Sequence, residues 1–177
     1  MSVANWAGVA LLIAALAPAG RAGPAATPPA IQAEAAIVVE MERGQVLWAR
    51  NADHPMYPAS LTKIMTGALA AEYADLTRVY TVSSRAASVP ETGLGLQAGE
   101  RVRVEDLLRG ALIWSANDAS FALAEAVAGN AERFVALMNR RAREWGASNT
   151  HFENPHGLHH PQHTSTARDL ASIALHA

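Results

Sequence analysis

Three prolines within seven residues, Pro24 to Ala30 (PAATPPA), decide where folding can begin. Proline has no amide donor and a fixed φ, so neither a helix interior nor a central strand can run through such a stretch. Upstream lies an uninterrupted apolar run of 11 residues, Ala7 to Ala17 (AGVALLIAALA), followed by Pro18, Ala19, Gly20 and Arg21. A bilayer span takes about 20 residues, so this run is too short to cross. With Ala17 and Ala19 in an A-x-A arrangement it reads as the hydrophobic region of a secretory signal peptide, removed on export. Met1 to Trp6 contains no Lys or Arg, which leaves only the terminal amine to supply the usual positive charge. The expected division is residues 1–19 signal peptide, 20–30 Pro/Ala-rich linker, and a folded part that starts near Ile31 and runs to residue 177.

Composition narrows the function classes. Half of the residues are hydrophobic, 17% are charged and the net charge is −2, which excludes a chain disordered by low hydrophobicity and high charge. A slightly acidic protein has no basic face with which to neutralise many phosphates, so nucleic acid is excluded as a partner. The absence of cysteine removes a disulfide framework, a thiolate zinc site and a Cys nucleophile. Of the 14 basic residues 13 are arginine, and Lys63 is the only lysine.

Ala35–Glu40 and Gln45–Arg50 are short β-prone runs joined by Met41-Glu42-Arg43-Gly44, a β-hairpin by pattern. From Ser60, the apolar residues Leu61, Ile64, Met65, Ala68 and Leu69 recur at helical spacing, with Pro58 just before. A second hairpin-like segment, Val79–Ser83, leads to a Gly-rich loop, Thr92-Gly93-Leu94-Gly95. Val104–Trp114 reads as a helix with acids in its first turn. Ala119–Ala128 reads as a buried helix and Ala131–Trp145 as an amphipathic one closed by Gly146. Thr166-Ala167-Arg168-Asp169 has the form of a capping box and opens a last helix.

Ser60-Leu61-Thr62-Lys63 places a hydroxyl and the only ammonium three residues apart on a helix, facing the same way. A serine hydroxyl is a poor nucleophile at neutral pH, and a lysine one turn on can take its proton if burial keeps the amine neutral. Gly67, a turn further along this face, allows another element to approach closely. S-x-x-K alone is a weak signal. Ser115-Ala116-Asn117, on the connection between two helices, adds a second hydroxyl and an amide; the plainer reading of Asn117 is a helix cap. Together the two form part of the constellation of the active-site serine penicillin-recognising enzymes.

PASLTKIMT (Pro58–Thr66), VEDLLRGALIWSAND (Val104–Asp118), NTHFENPHGL (Asn149–Leu158) and STARDLA (Ser165–Ala171) resemble the D-alanyl-D-alanine carboxypeptidases, the low-molecular-mass penicillin-binding proteins, from about Ala33 to the last residue. The resemblance implies an α+β fold of the serine DD-peptidase and β-lactamase type, an antiparallel sheet flanked by helices plus a helical subdomain. It makes Ser60 the acylated nucleophile, Lys63 its base, Ser115 a proton relay and Asn117 a holder of the substrate's peptide group. It implies export to the periplasm or cell envelope, a peptidoglycan stem peptide as substrate, β-lactam antibiotics as acylating inhibitors, and no metal or cofactor. Membrane association would come through a carboxy-terminal segment beyond Ala177.

This family also uses a K-T-G strand for the substrate carboxylate and the oxyanion hole. Since Lys63 is the only lysine, the 177 residues contain no K-T-G. The strand and most of the sheet are therefore expected after Ala177, and residues 31–177 are read as part of a larger catalytic domain. The residues present leave open a D,D-endopeptidase acting on cross-links, or a truncated, non-catalytic peptidoglycan-binding paralogue. A β-lactamase is disfavoured because no glutamate stands in a Glu-x-x-Leu-Asn pattern. His156, His159, His160 and His163, with His151 nearby, crowd one segment through which a zinc site could be drawn. No regular element fixes their spacing, and Asn154–Leu158 already matches the carboxypeptidase pattern, so metal is set aside. His156 is expected in a loop bordering the site.

Overall fold

The computed structural model describes residues 30–177; the apolar run 7–17, the cleavage motif and nearly all of the linker lie outside them. The opening hairpin forms as expected: β1 (Ala36–Val39) pairs antiparallel with β2 (Val46–Arg50), with Val38 opposite Trp48. Gly44, at φ +66, supplies the left-handed residue that the turn needs. The second expected hairpin is wider. β3 (Val79–Thr81) pairs with β4 (Arg101–Arg103), and the short helix α2 (Ser84–Ala87) and the Gly-rich loop lie between them. The flanking turn residues concealed this partner, since β4 is only three residues long.

The helices follow the apolar periodicity. α1 spans Thr62–Tyr73, α3 Val104–Ile113, α4 Asn117–Ala128, α5 Ala131–Glu144 and α6 Ala167–His176. Glu105 and Asp106 lie in the first turn of α3, where a helix favours negative charge. α5 is capped by Asn130, whose Oδ1 accepts from Arg133 N at 2.8 Å. Thr166 caps α6 by accepting from Asp169 N at 3.1 Å. The reciprocal half of the capping box does not form: the Asp169 carboxylate instead accepts from Asn149 N at 2.7 Å and Thr150 Oγ1 at 2.8 Å, tying the loop after α5 to α6.

α1 is the central element. Its apolar side was expected to include Leu61, which is 53% exposed; burial instead extends around the helix through Thr62, Lys63, Thr66, Gly67 and Ala70. One side meets α3 and α4, in a core of small residues: Ala70, Ala86, Ala111, Ala116, Ala119 and Ala122, with Val82, Val104, Leu107 and Leu123. The other meets α5 and α6, in a core dominated by large ones, Met65, Leu69, Phe134, Met138, Trp145, Phe152 and Ile173, with Ala124, Ala142 and Ala147 between them. Gly67 does permit a close approach, for a Cβ there would stand 2.8 Å from Leu112 Cδ2 on α3.

Candidate active site

Ser60 does not open α1. It sits in a 3-10 turn, Ala59–Leu61, that leads into the helix. The turn runs directly into α1, which carries Lys63, and the three-residue spacing still brings Lys63 Nζ to 3.4 Å from Ser60 Oγ. Lys63 is only 3% exposed, and its Nζ meets three oxygens: Asn117 Oδ1 at 2.8 Å, the carbonyl of His156 at 2.7 Å and, more loosely, Ser60 Oγ at 3.4 Å. A charged ammonium donates to all three. A neutral amine keeps two N–H donors for the amide and carbonyl oxygens, and its lone pair is left for the serine hydroxyl. This set of contacts can hold either protonation state without breaking the two short bonds. Burial lowers the Lys63 pKa, and the Glu91 carboxylate partly opposes that shift.

The amide of Asn117 does not cap α4. Asn117 is the first residue of that helix, and its side chain reaches sideways, accepting from Lys63 and donating through Nδ2 to Pro90 O at 3.1 Å. Its backbone N–H donates to Thr92 O at 2.7 Å. Asn117 therefore joins α1 to the loop on either side of Glu91. Ser115 lies at the bend between α3 and α4 with φ +59, left-handed for a residue with a Cβ, which turns it to the cleft. That cleft, of about 540 Å³, is lined by Ser60, Leu61, Lys63, Ile64, Leu112 and Ser115 among others. Among the described residues the hydrogen bonds of Lys63 Nζ are the three given above, and Ser115 is not an acceptor of any of them. A separate hollow of about 570 Å³, lined by Glu34, Asn51, Asp53, His54 and Arg168 among others, shares no residue with this one.

Several supporting residues escaped the sequence reading. Asp118, directly after the second motif, accepts from the amides of Leu94, Gly95 and Leu96 at 3.0, 3.0 and 3.1 Å and so shapes the Gly-rich loop. Its position beside Ser115-Ala116-Asn117 was the available signal. Thr66 Oγ1 donates to Pro155 O at 2.6 Å. Asn139 of α5 grips Phe152 through both N and O at 2.8 Å. His163, 2% exposed, accepts at Nδ1 from Glu153 N at 3.2 Å, so its proton sits on Nε2 and is donated to Thr62 Oγ1 at 2.8 Å.

Three of the histidines gather around Glu153 rather than around a shared metal position: His151 and His160 approach its carboxylate at 2.8 and 4.0 Å, and His163 accepts from its amide while bracing α1. His159 meets the ring of Tyr57. His156 does border the site, but it contributes its carbonyl; its ring stacks on Phe121 of α4. No group of three or more His, Cys, Asp or Glu among the described residues is arranged to hold a metal ion.

The fold is that of the penicillin-binding DD-peptidases. The D-alanyl-D-alanine carboxypeptidase DacD of Francisella tularensis superposes with a TM-score of 0.80 at 35% identity, over 84% of this chain and 37% of that one. Penicillin-binding protein 5 of Haemophilus influenzae gives 0.79 at 38%, over 85% and 46%. Residues 22–177 match the peptidase S11 family, D-alanyl-D-alanine carboxypeptidase, and the chain belongs to that family. It is 42% identical to the D-alanyl-D-alanine carboxypeptidase DacC of Escherichia coli over 156 residues, 82% of this chain and 39% of the relative. It is 40% identical to DacF of Bacillus subtilis over 148 residues, 81% and 38%. The chain thus spans about two fifths of the length of these curated relatives.

Proposed function

We propose that this protein is an exported serine-type D-Ala-D-Ala carboxypeptidase that removes the terminal D-alanine from peptidoglycan stem peptides through an acyl-enzyme. The observation that carries the reading is the setting of Lys63: a buried amine, held by Asn117 and by the His156 carbonyl, with its remaining valence toward Ser60. As Ser60 Oγ attacks the carbonyl carbon between the two D-alanines, its proton passes to the neutral amine of Lys63. The carbonyl becomes an oxyanion at the N-terminal end of α1, where the helix favours negative charge. When the intermediate collapses, the C–N bond breaks and the proton passes from Lys63, by way of Ser115, to the departing amine of D-alanine. Water then adds to the Ser60 ester, with Lys63 accepting its proton; as the bond between the acyl carbon and Ser60 Oγ breaks, Lys63 returns the proton to Oγ and the shortened peptide leaves. Asn117 holds the substrate's peptide group. A β-lactam presents its ring carbonyl to the same serine, and opening of that ring leaves the serine acylated.

The test uses the complete protein and a fluorescent penicillin. Covalent labelling and release of D-alanine from a pentapeptide are expected in the wild type, with both lost in Ser60→Ala. Labelling that survives this substitution removes Ser60 as the nucleophile. Cleavage after residue 19 belongs to the same proposal, and the amino-terminal sequence of the exported protein reads it directly.

A further inference from the structure

Resting on that assignment of Ser60 and Lys63, the loop Asn154–Leu158 has a function of its own to explain. It touches the nucleophile segment at three places. The His156 carbonyl accepts from Lys63, the Pro155 carbonyl accepts from Thr66 one turn further along α1, and Gly157 lies against the peptide between Ala59 and Ser60. The last contact is the closest. A Cβ placed on Gly157 would fall 1.9 Å from the Ala59 carbonyl oxygen, 2.4 Å from its carbon and 3.1 Å from the Ser60 nitrogen. The atoms it meets are backbone, so no side chain can swing aside. Both partners have unusual backbones: Gly157 is at φ +91 and Ala59 at φ +48, a left-handed value for a residue with a side chain. Such a conformation persists where its surroundings impose it, and it lies immediately before Ser60. The loop is itself rigid, for Asn154 Oδ1 accepts from His156 N and Gly157 N at 3.3 and 2.7 Å, while Asn154 Nδ2 donates to Leu158 O at 2.8 Å.

We propose that Gly157 is a positioning residue for Ser60. Its missing side chain lets the loop seat on the Ala59–Ser60 peptide, so that one contact fixes both the turn carrying Ser60 and the carbonyl that holds Lys63. A real Cβ keeps at least 3.0 Å from such an atom, so Gly157→Ala requires the turn or the loop to withdraw by about 1 Å. A misplacement of that size at reacting groups costs about 100-fold in rate.

Gly146 supplies the matched control. It too is left-handed, at φ +78, but a Cβ there meets nothing closer than Ser172 Oγ at 3.8 Å. Alanine at either position bears the same kind of backbone cost, and only at 157 does it press on the Ser60 turn. In the complete protein, Gly157→Ala is expected to slow the maximal rate of acylation by penicillin about 100-fold. Gly146→Ala should stay within about twofold of wild type, the bound of an effect that reaches the site only through small stability changes. Thermal melting is recorded for both. Equal slowing by the two variants, or a wild-type rate in Gly157→Ala, overturns the proposal. Should Gly157→Ala not fold, the double variant Ala59→Gly/Gly157→Ala gives the turn freedom to retreat, and a folded protein with slow acylation is expected. Failure of both to fold beside a folded Gly146→Ala would make Gly157 a residue of the fold alone and would also overturn the proposal. An unlabelled wild-type protein strikes at the serine mechanism, whereas a labelled wild type with fast Gly157→Ala strikes only here.

Discussion

The two cores that flank α1 are built from different stock. Toward α5 and α6 lie Met65, Leu69, Phe134, Met138, Phe152 and Ile173, each fully buried. Toward α3 and α4 the contact layer is largely alanine, with Ala111, Ala116, Ala119 and Ala122 at 1% exposure or less. Large side chains contribute about 1.5–3 kcal/mol each on burial, alanine much less. What alanine provides is proximity: α4 comes near enough to α1 for a side chain as short as Asn117 to reach Lys63 at 2.8 Å. The large-residue core anchors the segment that carries Ser60 and Lys63, and the small-residue core brings the second motif to it.

The comparison can be broken from either side. The largest effect of a single substitution is expected from Phe134→Ala, which empties part of the large-residue core and should lower stability by about 3–5 kcal/mol. Its urea midpoint should fall while the folded protein still acylates at the normal rate. If acylation collapses along with stability, the division of labour between the cores is wrong.

Acid comes next. Burial holds the pKa of His163 at about 4, with the neighbouring His151 and His160 adding to the depression and Glu153 opposing it, and burial and the Lys63 charge do the same for His156. A histidine whose folded pKa is depressed binds protons more readily when unfolded. Its stabilising share is therefore complete above about pH 6.5 and is lost as pH falls toward 4. On the order of 3 kcal/mol per histidine should disappear across that window. Urea titrations at pH 7.5 and 4.5 measure it, and His163→Gln should flatten the slope.

Ala119→Leu attacks the other core. Overpacking there costs about 1–3 kcal/mol, less than Phe134→Ala, yet it should slow acylation more, because it pushes α4 and with it Asn117 away from α1. Acylation and stability measured side by side on the two variants decide the point. The smallest effect is expected from Glu91→Gln, with little change in melting temperature. Glu91 sustains the Lys63 charge, so its neutralisation should lower the Lys63 pKa further. The acid limb of the acylation pH profile then moves to lower pH; a limb that stays in place removes Glu91 from the site's electrostatics.

The two cores were not equally legible in the sequence. Phe134 and Met138 stand at helical spacing, so α5 and its buried side could be read from periodicity alone. The alanine-rich side gives a weaker signal, since alanine is indifferent to burial, and Asn117 stood out there through the S-x-N motif and its family resemblance, while its bond to Lys63 did not. Ser60 and Lys63 were legible because their three-residue spacing keeps them on one side of the chain across the junction of the 3-10 turn and α1. The carbonyl of His156, the seat of Gly157 and the Asp118 bonds to the Gly-rich loop were not. Backbone atoms carry no residue-specific mark, and those contacts span sequence separations that no local pattern encodes.

A practical consequence follows from the solitary lysine. Amine-directed reagents meet a single side-chain target in these 177 residues, and that target is 3% exposed behind three oxygen contacts. Its rate of modification counts openings of the cleft and of nothing else in the chain's side chains. Within these residues Lys63 is thus a site-specific clock for local unfolding, readable by mass on the peptide that carries it, without a mutation or an added dye.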